Sequence, residues 1–267
     1  MVFQMKLLLI GAGKWGTNYI STLSSFENIE LTVANKENWQ HLIDQKPDGV
    51  IIATPPQSHI QIAEHAASYQ IPIMLEKPVA LSSSELQILN NYNPTVLVNY
   101  IHLFSDAYQW MIKSIDVDTI TKISTHGYNR GPFRNYSSLW DYAPHDLSMI
   151  LYLLKEAPTC LDIQLIPNTN NGLFGIEMLF NKCTTYSMVG SGGTNACRDF
   201  IVEFNGMMLK YDDKNRPTSH TAPLNNALSV FIKGIKGHID ERMGLELSFQ
   251  ITKILERCDN KLICNGD

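Results

Sequence analysis

The chain has 267 residues, of which 44% are hydrophobic and 18% charged, with a formal net charge of −5. That length provides a substantial core in one large domain or two smaller ones, and the composition is ordinary for a soluble globular protein. The mild acidity and the lack of a basic tract argue against a nucleic-acid partner, and no run approaches the ~20 apolar residues of a membrane span.

KLLLI is the first apolar run, too short for the core of a signal peptide, so a cytoplasmic protein is expected. A helix is predicted through WGTNYISTLSSF, then a strand at ELTVA, a short segment, and a strand at GVIIAT. SHIQIAEHAASY predicts a helix, PIML a strand, SSSELQILNNY a helix and TVLVNY a strand. Continuous apolar strands are buried on both faces, so these predict a doubly wound parallel sheet covered by helices. After a helix near Asp106–Ile115 the texture changes. TITKISTHGY, LDIQLIP, GLFGIEMLF, TTYSMVG, RDFIVEF and GMMLKY interleave polar residues, as in an antiparallel sheet with one covered face. One helix, roughly Pro144–Leu154, interrupts them, and ALSVFIKGI and GLELSFQITKILERC close the chain as helices. The expected division is a doubly wound α/β domain over 1–117 and an α+β domain over 118–267. Five cysteines (Cys160, Cys183, Cys197, Cys258, Cys264) form no CxxC pair, which suits reduced thiols better than disulfides. The histidines lack ligand spacing, so no metal is expected.

GAGKWG, Gly11–Gly16, lies between the first strand and the first helix. In that context Gly11 permits a tight turn, Gly13 lets backbone approach a pyrophosphate, and Gly16 allows close helix–strand packing. Ala12, Lys14 and Trp15 complete the candidate cofactor loop; a purely structural turn is the alternative. After the second strand stand Asn35 and Lys36, where Asp or Glu favours NAD. Asn35 can bond a ribose hydroxyl, while Lys36 is either a 2′-phosphate ligand or a solvated lysine, so the cofactor reads as NAD or NADP. ATPPQSH places Thr54, Pro55 and His59 at a strand's carboxyl edge, where open α/β sheets bind ligands, although Thr54 or Ser58 also suits a helix cap. MLEKPVA puts Glu76 and Lys77 on the same edge. A lysine there can stabilise an alkoxide beside a nicotinamide ring, or simply precede the next helix. In SSLWDYAPHDLSMILYLL, Asp141 and His145 stand four apart. They form a carboxylate–histidine pair if the helix has begun by Asp141, and otherwise a cap and a satisfied histidine.

GAGKWG, VIIATPPQSHIQIAEHA and PIMLEKPVALSSSE, in that order and spacing, resemble the glucose–fructose oxidoreductase and inositol dehydrogenase family (Gfo/Idh/MocA). The Glu-Lys-Pro is the most specific mark. The resemblance spans essentially the whole chain. It implies a Rossmann domain followed by an open, mostly antiparallel α+β domain. It also implies NAD or NADP binding and hydride exchange with a secondary hydroxyl of a sugar, cyclitol or sugar derivative. In that scheme Lys77 polarises the hydroxyl, His145 accepts its proton, Asp141 orients one or both, and Glu76 holds Lys77 or touches the nicotinamide ribose. Asn99, Tyr100 and His102 become candidate substrate contacts, and Arg130 or Arg134 either a binder of an anionic group or a surface salt-bridge partner. The partners implied are a small-molecule substrate and further copies of the chain, as homodimer or homotetramer. Two departures stand out. Ser148 occupies a position where members often carry Asp, in a Trp-Asp-x-x-Pro-His-Asp variant loosely associated with sugar or sugar-nucleotide chemistry. The segment between ELTVANK and DGVIIAT is short by roughly one βα unit, so the Rossmann sheet is expected to be trimmed at one edge. That trimming leaves room for an alternative, a non-catalytic NAD(P)-binding sensor.

Overall fold

The computed structural model describes residues 4–128, 136–155, 165–168, 173–181, 183–190, 197–212 and 221–264. The first half runs β1 Met5–Ile10, α1 Lys14–Leu23, β2 Ile29–Ala34, α2 Trp39–Asp44, β3 Gly49–Ile52 and α3 His59–Ser68. β4 Ile73–Leu75, α4 Ser83–Asn90, β5 Val96–Val98 and α5 Asp106–Lys113 follow. Next come β6 Ile120–Tyr128, α6 Ser138–Leu154, β7 Leu165–Asn168, β8 Leu173–Leu179 and β9 Thr184–Gly190. β10 Cys197–Phe204, β11 Met207–Asp212, α7 Thr221–Ile235 and α8 Glu246–Cys264 complete the order.

The chain divides into two compact units, Met1–Phe104 with His220–Phe249, and Ser105–Ser219 with Gln250–Asp267. This differs from the expected 1–117 and 118–267 in two ways: the cut falls earlier, and a late segment returns to the first unit. The return has a packing reason. Leu224, Ala227, Leu228 and Phe231 of α7 are buried, and α7 packs on α1. Gly49 of β3 makes room for it, since a Cβ there would lie 2.6 Å from Ile235 and 3.1 Å from Phe231. Asn226 Nδ2 also donates to the Phe104 carbonyl at 2.9 Å, and the Gly244 N–H donates to the Val96 carbonyl at 2.7 Å.

In the first unit the sheet order is β2-β1-β3-β4-β5 with every pair parallel. β3, β4 and β5 are buried residue by residue, which explains their unbroken apolar runs. β2 is the edge strand and largely exposed, and only the six-residue α2 leads on to β3. The sheet is therefore trimmed beside β2. Parallel pairing sends the carboxyl ends of all five strands to one edge.

The second unit holds a sheet of order β11-β10-β6-β9-β8-β7, in which β6 and β9 pair parallel and the other pairs antiparallel. β10 alternates buried and half-buried residues, the pattern of a sheet with one covered face. α6 packs on β6 and β9, and α5 packs on β11. Tyr108 of α5 is fully buried, edge-on to Phe200 at 5.8 Å, with its hydroxyl donated to the Met149 carbonyl at 2.6 Å. α6 begins at Ser138, a turn and a half before the expected start at Pro144. Ser137 caps it by accepting the Leu139 N–H at 3.2 Å, so Pro144 sits inside the helix rather than at its first turn. Among the described residues no helix is long and apolar enough to cross a membrane.

Candidate functional site

The carboxyl edge of the first sheet gathers the glycine loop, the end of β3 and the end of β4. Gly11 has φ +98°, and a Cβ there would lie 2.7 Å from the Ala53 carbonyl oxygen. A Cβ on Gly16 would overlap the Gly11 carbonyl oxygen, so both residues are required by the protein's own packing. Gly13 differs. It is the N-cap of α1, makes no side-chain cap bond, and a Cβ on it would meet nothing within 4 Å. Backbone N–H groups at the start of a ten-residue helix are thus left open beside Ala12, Gly13 and Lys14, which are exposed, and Trp15, which is half-buried. That cradle fits a pyrophosphate.

At the end of β2, the register Ile10↔Ala34 sets Asn35 beside Gly11. Asn35 Oδ1 accepts the Glu37 and Asn38 N–H groups at 2.9 and 3.0 Å, and Asn38 Oδ1 accepts the Asn35 N–H at 2.8 Å. Lys36 is 91% exposed and 3.9 Å from Glu37.

Thr54 and Pro55 open the turn after β3, where Ser58 Oγ donates to Thr54 Oγ1 at 2.9 Å. His59 does not reach a ligand surface as the sequence suggests. It is fully buried, with Nε2 2.8 Å from the Thr54 carbonyl and Nδ1 2.9 Å from the Pro78 carbonyl. Burial holds its pKa below the usual imidazole value. His59 therefore ties the turn after β3 to the Glu-Lys-Pro turn after β4.

Glu76 and Lys77 part company at the end of β4. Lys77 is half-buried, followed by a cis bond to Pro78. Glu76 is buried and points into a three-way bond beneath the loop. Its Oε1 accepts the Tyr19 hydroxyl at 2.7 Å and Asn99 Nδ2 at 2.7 Å, while the same Asn99 Nδ2 lies 2.9 Å from the Tyr19 oxygen. Burial raises the Glu76 pKa, opposed by Asn99, Tyr19 and the neighbouring Lys77. It raises the Tyr19 pKa further, with the Glu76 carboxylate adding to the effect. Glu76 thus supports the loop rather than presenting its carboxylate at the surface. Asn99 Oδ1 is buried with no hydrogen-bond partner among the described residues. Tyr100, expected at substrate, is buried and donates to Ser248 Oγ at 3.0 Å, and His102 is buried too. Tyr19 was missed by sequence reasoning. Its signal is its place on the buried row Gly16, Tyr19, Leu23, where a phenol needs a partner for its hydroxyl.

In the second unit Asp141 and His145 share α6, one turn apart on one face, both buried. Asp141 lies in the first turn, where the helix N-terminus favours a carboxylate. His145 meets the Tyr142 ring edge-on at 6.4 Å between centroids, and the Arg198 guanidinium lies over that ring at 5.7 Å. Arg198 is also ion-paired with the buried Asp146, whose Oδ2 accepts Thr125 Oγ1 at 2.8 Å. Ser148 donates back to the His145 carbonyl at 2.8 Å. Arg130 and Arg134 lie outside the described residues. Among those residues no group of three or more His, Cys, Asp or Glu is arranged to hold a metal ion.

Residues 24–93 match the Gfo/Idh/MocA family model, described as an oxidoreductase family with an NAD-binding Rossmann fold. No curated protein matches the chain. Among solved structures, an oxidoreductase-assigned protein of Magnetospirillum magnetotacticum MS-1 is 22% identical with a TM-score of 0.84, covering 95% of this chain and 99% of its own. UDP-N-acetylglucosamine 3-dehydrogenase of Acidithiobacillus ferrooxidans is 15% identical with a TM-score of 0.80, covering 96% of this chain and 97% of its own. Scyllo-inositol dehydrogenase of Lactobacillus casei, solved with NAD(H) and scyllo-inositol, is 16% identical with a TM-score of 0.76 and covers 94% of each chain. At these identities the likeness shows the fold. With the family match over 24–93, it bears out the resemblance carried by the sequence motifs.

Proposed function

We propose that the chain is a nicotinamide-dependent dehydrogenase that oxidises a secondary hydroxyl of a sugar, cyclitol or sugar derivative, or reduces the corresponding ketone. The observation that carries this reading is the open backbone at Gly13, on the same sheet edge as Lys77. Gly11 and Gly16 are explained by internal packing, whereas Gly13 has no neighbour to accommodate and suits a phosphate approaching the helix N-terminus. The bound dinucleotide supplies hydride exchange at its nicotinamide ring.

The residues present fit that chemistry. Glu76, anchored by Tyr19 and Asn99, fixes the strand end from which Lys77 extends. The His59 link fixes the far side of the same turn. A lysine held there donates a hydrogen bond to the reacting oxygen and stabilises negative charge developing on it. His145 is assigned the proton that leaves the hydroxyl, with Asp141 orienting the ring or the substrate. Positioning of the carbinol carbon contributes much of the rate. Homo-oligomer formation is proposed by analogy with the family.

The test is fluorescence titration with NADH and NADPH, followed by turnover with a panel of cyclitols, sugars and sugar nucleotides. The reading predicts saturable binding and reduction of the oxidised cofactor by at least one panel member. Binding with no turnover across the panel supports a sensor instead, and absence of binding removes the reading.

A further inference from the structure

We propose that the turn after β2 selects a 2′-phosphorylated dinucleotide, with Asn35, Lys36 and Asn38 reading the phosphate; the proposal rests on the dinucleotide reading above. The register Ile10↔Ala34 places this turn directly beside the glycine loop, where the adenosine ribose of a dinucleotide on α1 would lie. A ribose diol is normally held there by a carboxylate that accepts hydroxyl protons. This turn has the opposite character.

Both asparagine oxygens are committed to the turn's own backbone. Asn35 Oδ1 takes two N–H groups, those of Glu37 and Asn38, and Asn38 Oδ1 takes that of Asn35. Because all three partners are backbone donors, the orientation of both amides is determined: oxygens inward, nitrogens outward. Neither Nδ2 donates to another group among the described residues. Lys36 adds a third outward donor, 91% exposed, and its 3.9 Å approach to Glu37 is a solvated pair of little energy. Glu37, the turn's one carboxylate, is 66% exposed and three positions past Ala34, the last residue of β2. The turn thus offers two amide donors and an ammonium, with its amide acceptors used up. A phosphate monoester, doubly charged and rich in acceptors, matches that set, and a 2′-hydroxyl does not.

The experiment is a fluorescence titration of NADPH and NADH against wild type, Lys36→Ala and Asn35→Asp, at low and high ionic strength, with each variant's Tm measured. Wild type is expected to bind NADPH about 10- to 100-fold more tightly than NADH, the worth of one charge-assisted hydrogen bond. That advantage shrinks as salt screens the exposed lysine. Lys36→Ala weakens NADPH alone. Asn35→Asp keeps the backbone bonds of the turn, loses an outward donor, gains a negative charge and lowers the NADPH:NADH ratio. Equal or tighter NADH binding by wild type overturns the proposal while leaving the dinucleotide reading intact. So does a ratio unmoved in both variants at unchanged Tm. Failure of both cofactors to bind folded wild type overturns the dinucleotide reading and this proposal with it.

Discussion

Each unit buries a carboxylate next to a residue assigned to catalysis, and the two are stabilised by different means. Asp146, adjacent to His145, is paired with a cation, Arg198, and receives Thr125. Glu76 is met chiefly by neutral donors, Tyr19 and Asn99, with the neighbouring Lys77 charge a smaller contribution. An ion pair compensates a buried charge directly, so its loss strands a full charge in the interior. Neutral donors compensate only partly, which is why burial still raises the Glu76 pKa. The first arrangement ties α6 to β10 and β6, while the second leaves a buried carboxyl group whose ionisation burial opposes.

The comparison is broken most severely at the ion pair. Arg198→Leu leaves Asp146 buried and unpaired, and should cost about 3–5 kcal/mol in urea denaturation. The double variant Arg198→Leu with Asp146→Leu should recover part of that loss. Next in size is Tyr19→Phe, which removes one donor from Glu76 and should cost about 1–3 kcal/mol. Its effect should be larger at pH 8 than at pH 5, because the missing bond stabilises the ionised carboxylate.

Glu76→Gln sharpens the contrast through its sign. A carboxyl group whose folded pKa is raised contributes stability that is present at low pH and lost as pH rises through the folded value. Wild type should therefore lose stability from this group on going from acid to neutral pH, and the glutamine variant should not. The Tm of Glu76→Gln relative to wild type should climb between pH 5 and pH 8, by about 2–4 °C for each kcal/mol involved. A difference that falls with pH would mean that the donors outweigh desolvation. The smallest effect on stability is expected at Gly13→Ala, which meets no neighbour and should change unfolding by less than about 1 kcal/mol. Dinucleotide affinity should nevertheless fall, because the methyl group occupies the phosphate approach.

Much of the first unit was legible because β3, β4 and β5 are buried on both faces: GVII and VLV have no polar positions to confuse the reading. The trimmed edge was legible as a missing length of chain. The return of α7 was not, since its buried row of Leu224, Leu228 and Phe231 suits any apolar surface and carries no record of which sheet it covers. The start of α6 was misplaced because Pro144 imitates a first-turn proline, while the actual cap, Ser137, is one serine among several. At the site, GAGKWG and the Glu-Lys-Pro were visible as local spacing. The direction of the Glu76 side chain depends on Tyr19 and Asn99, 57 and 23 residues away, and no local pattern encodes it. Nor does any local pattern show that His59 is buried, as its two carbonyl partners lie on different turns.

We propose that hydride transfer by this chain requires both Lys77 and His145. The most direct measurement is turnover by Lys77→Met, His145→Gln and the double variant on a panel substrate, at cofactor concentrations shown to saturate each protein. The account predicts that each single variant retains its fold and loses about 100- to 10,000-fold in kcat, with the double variant little worse than either. Wild-type turnover by either single variant would contradict it.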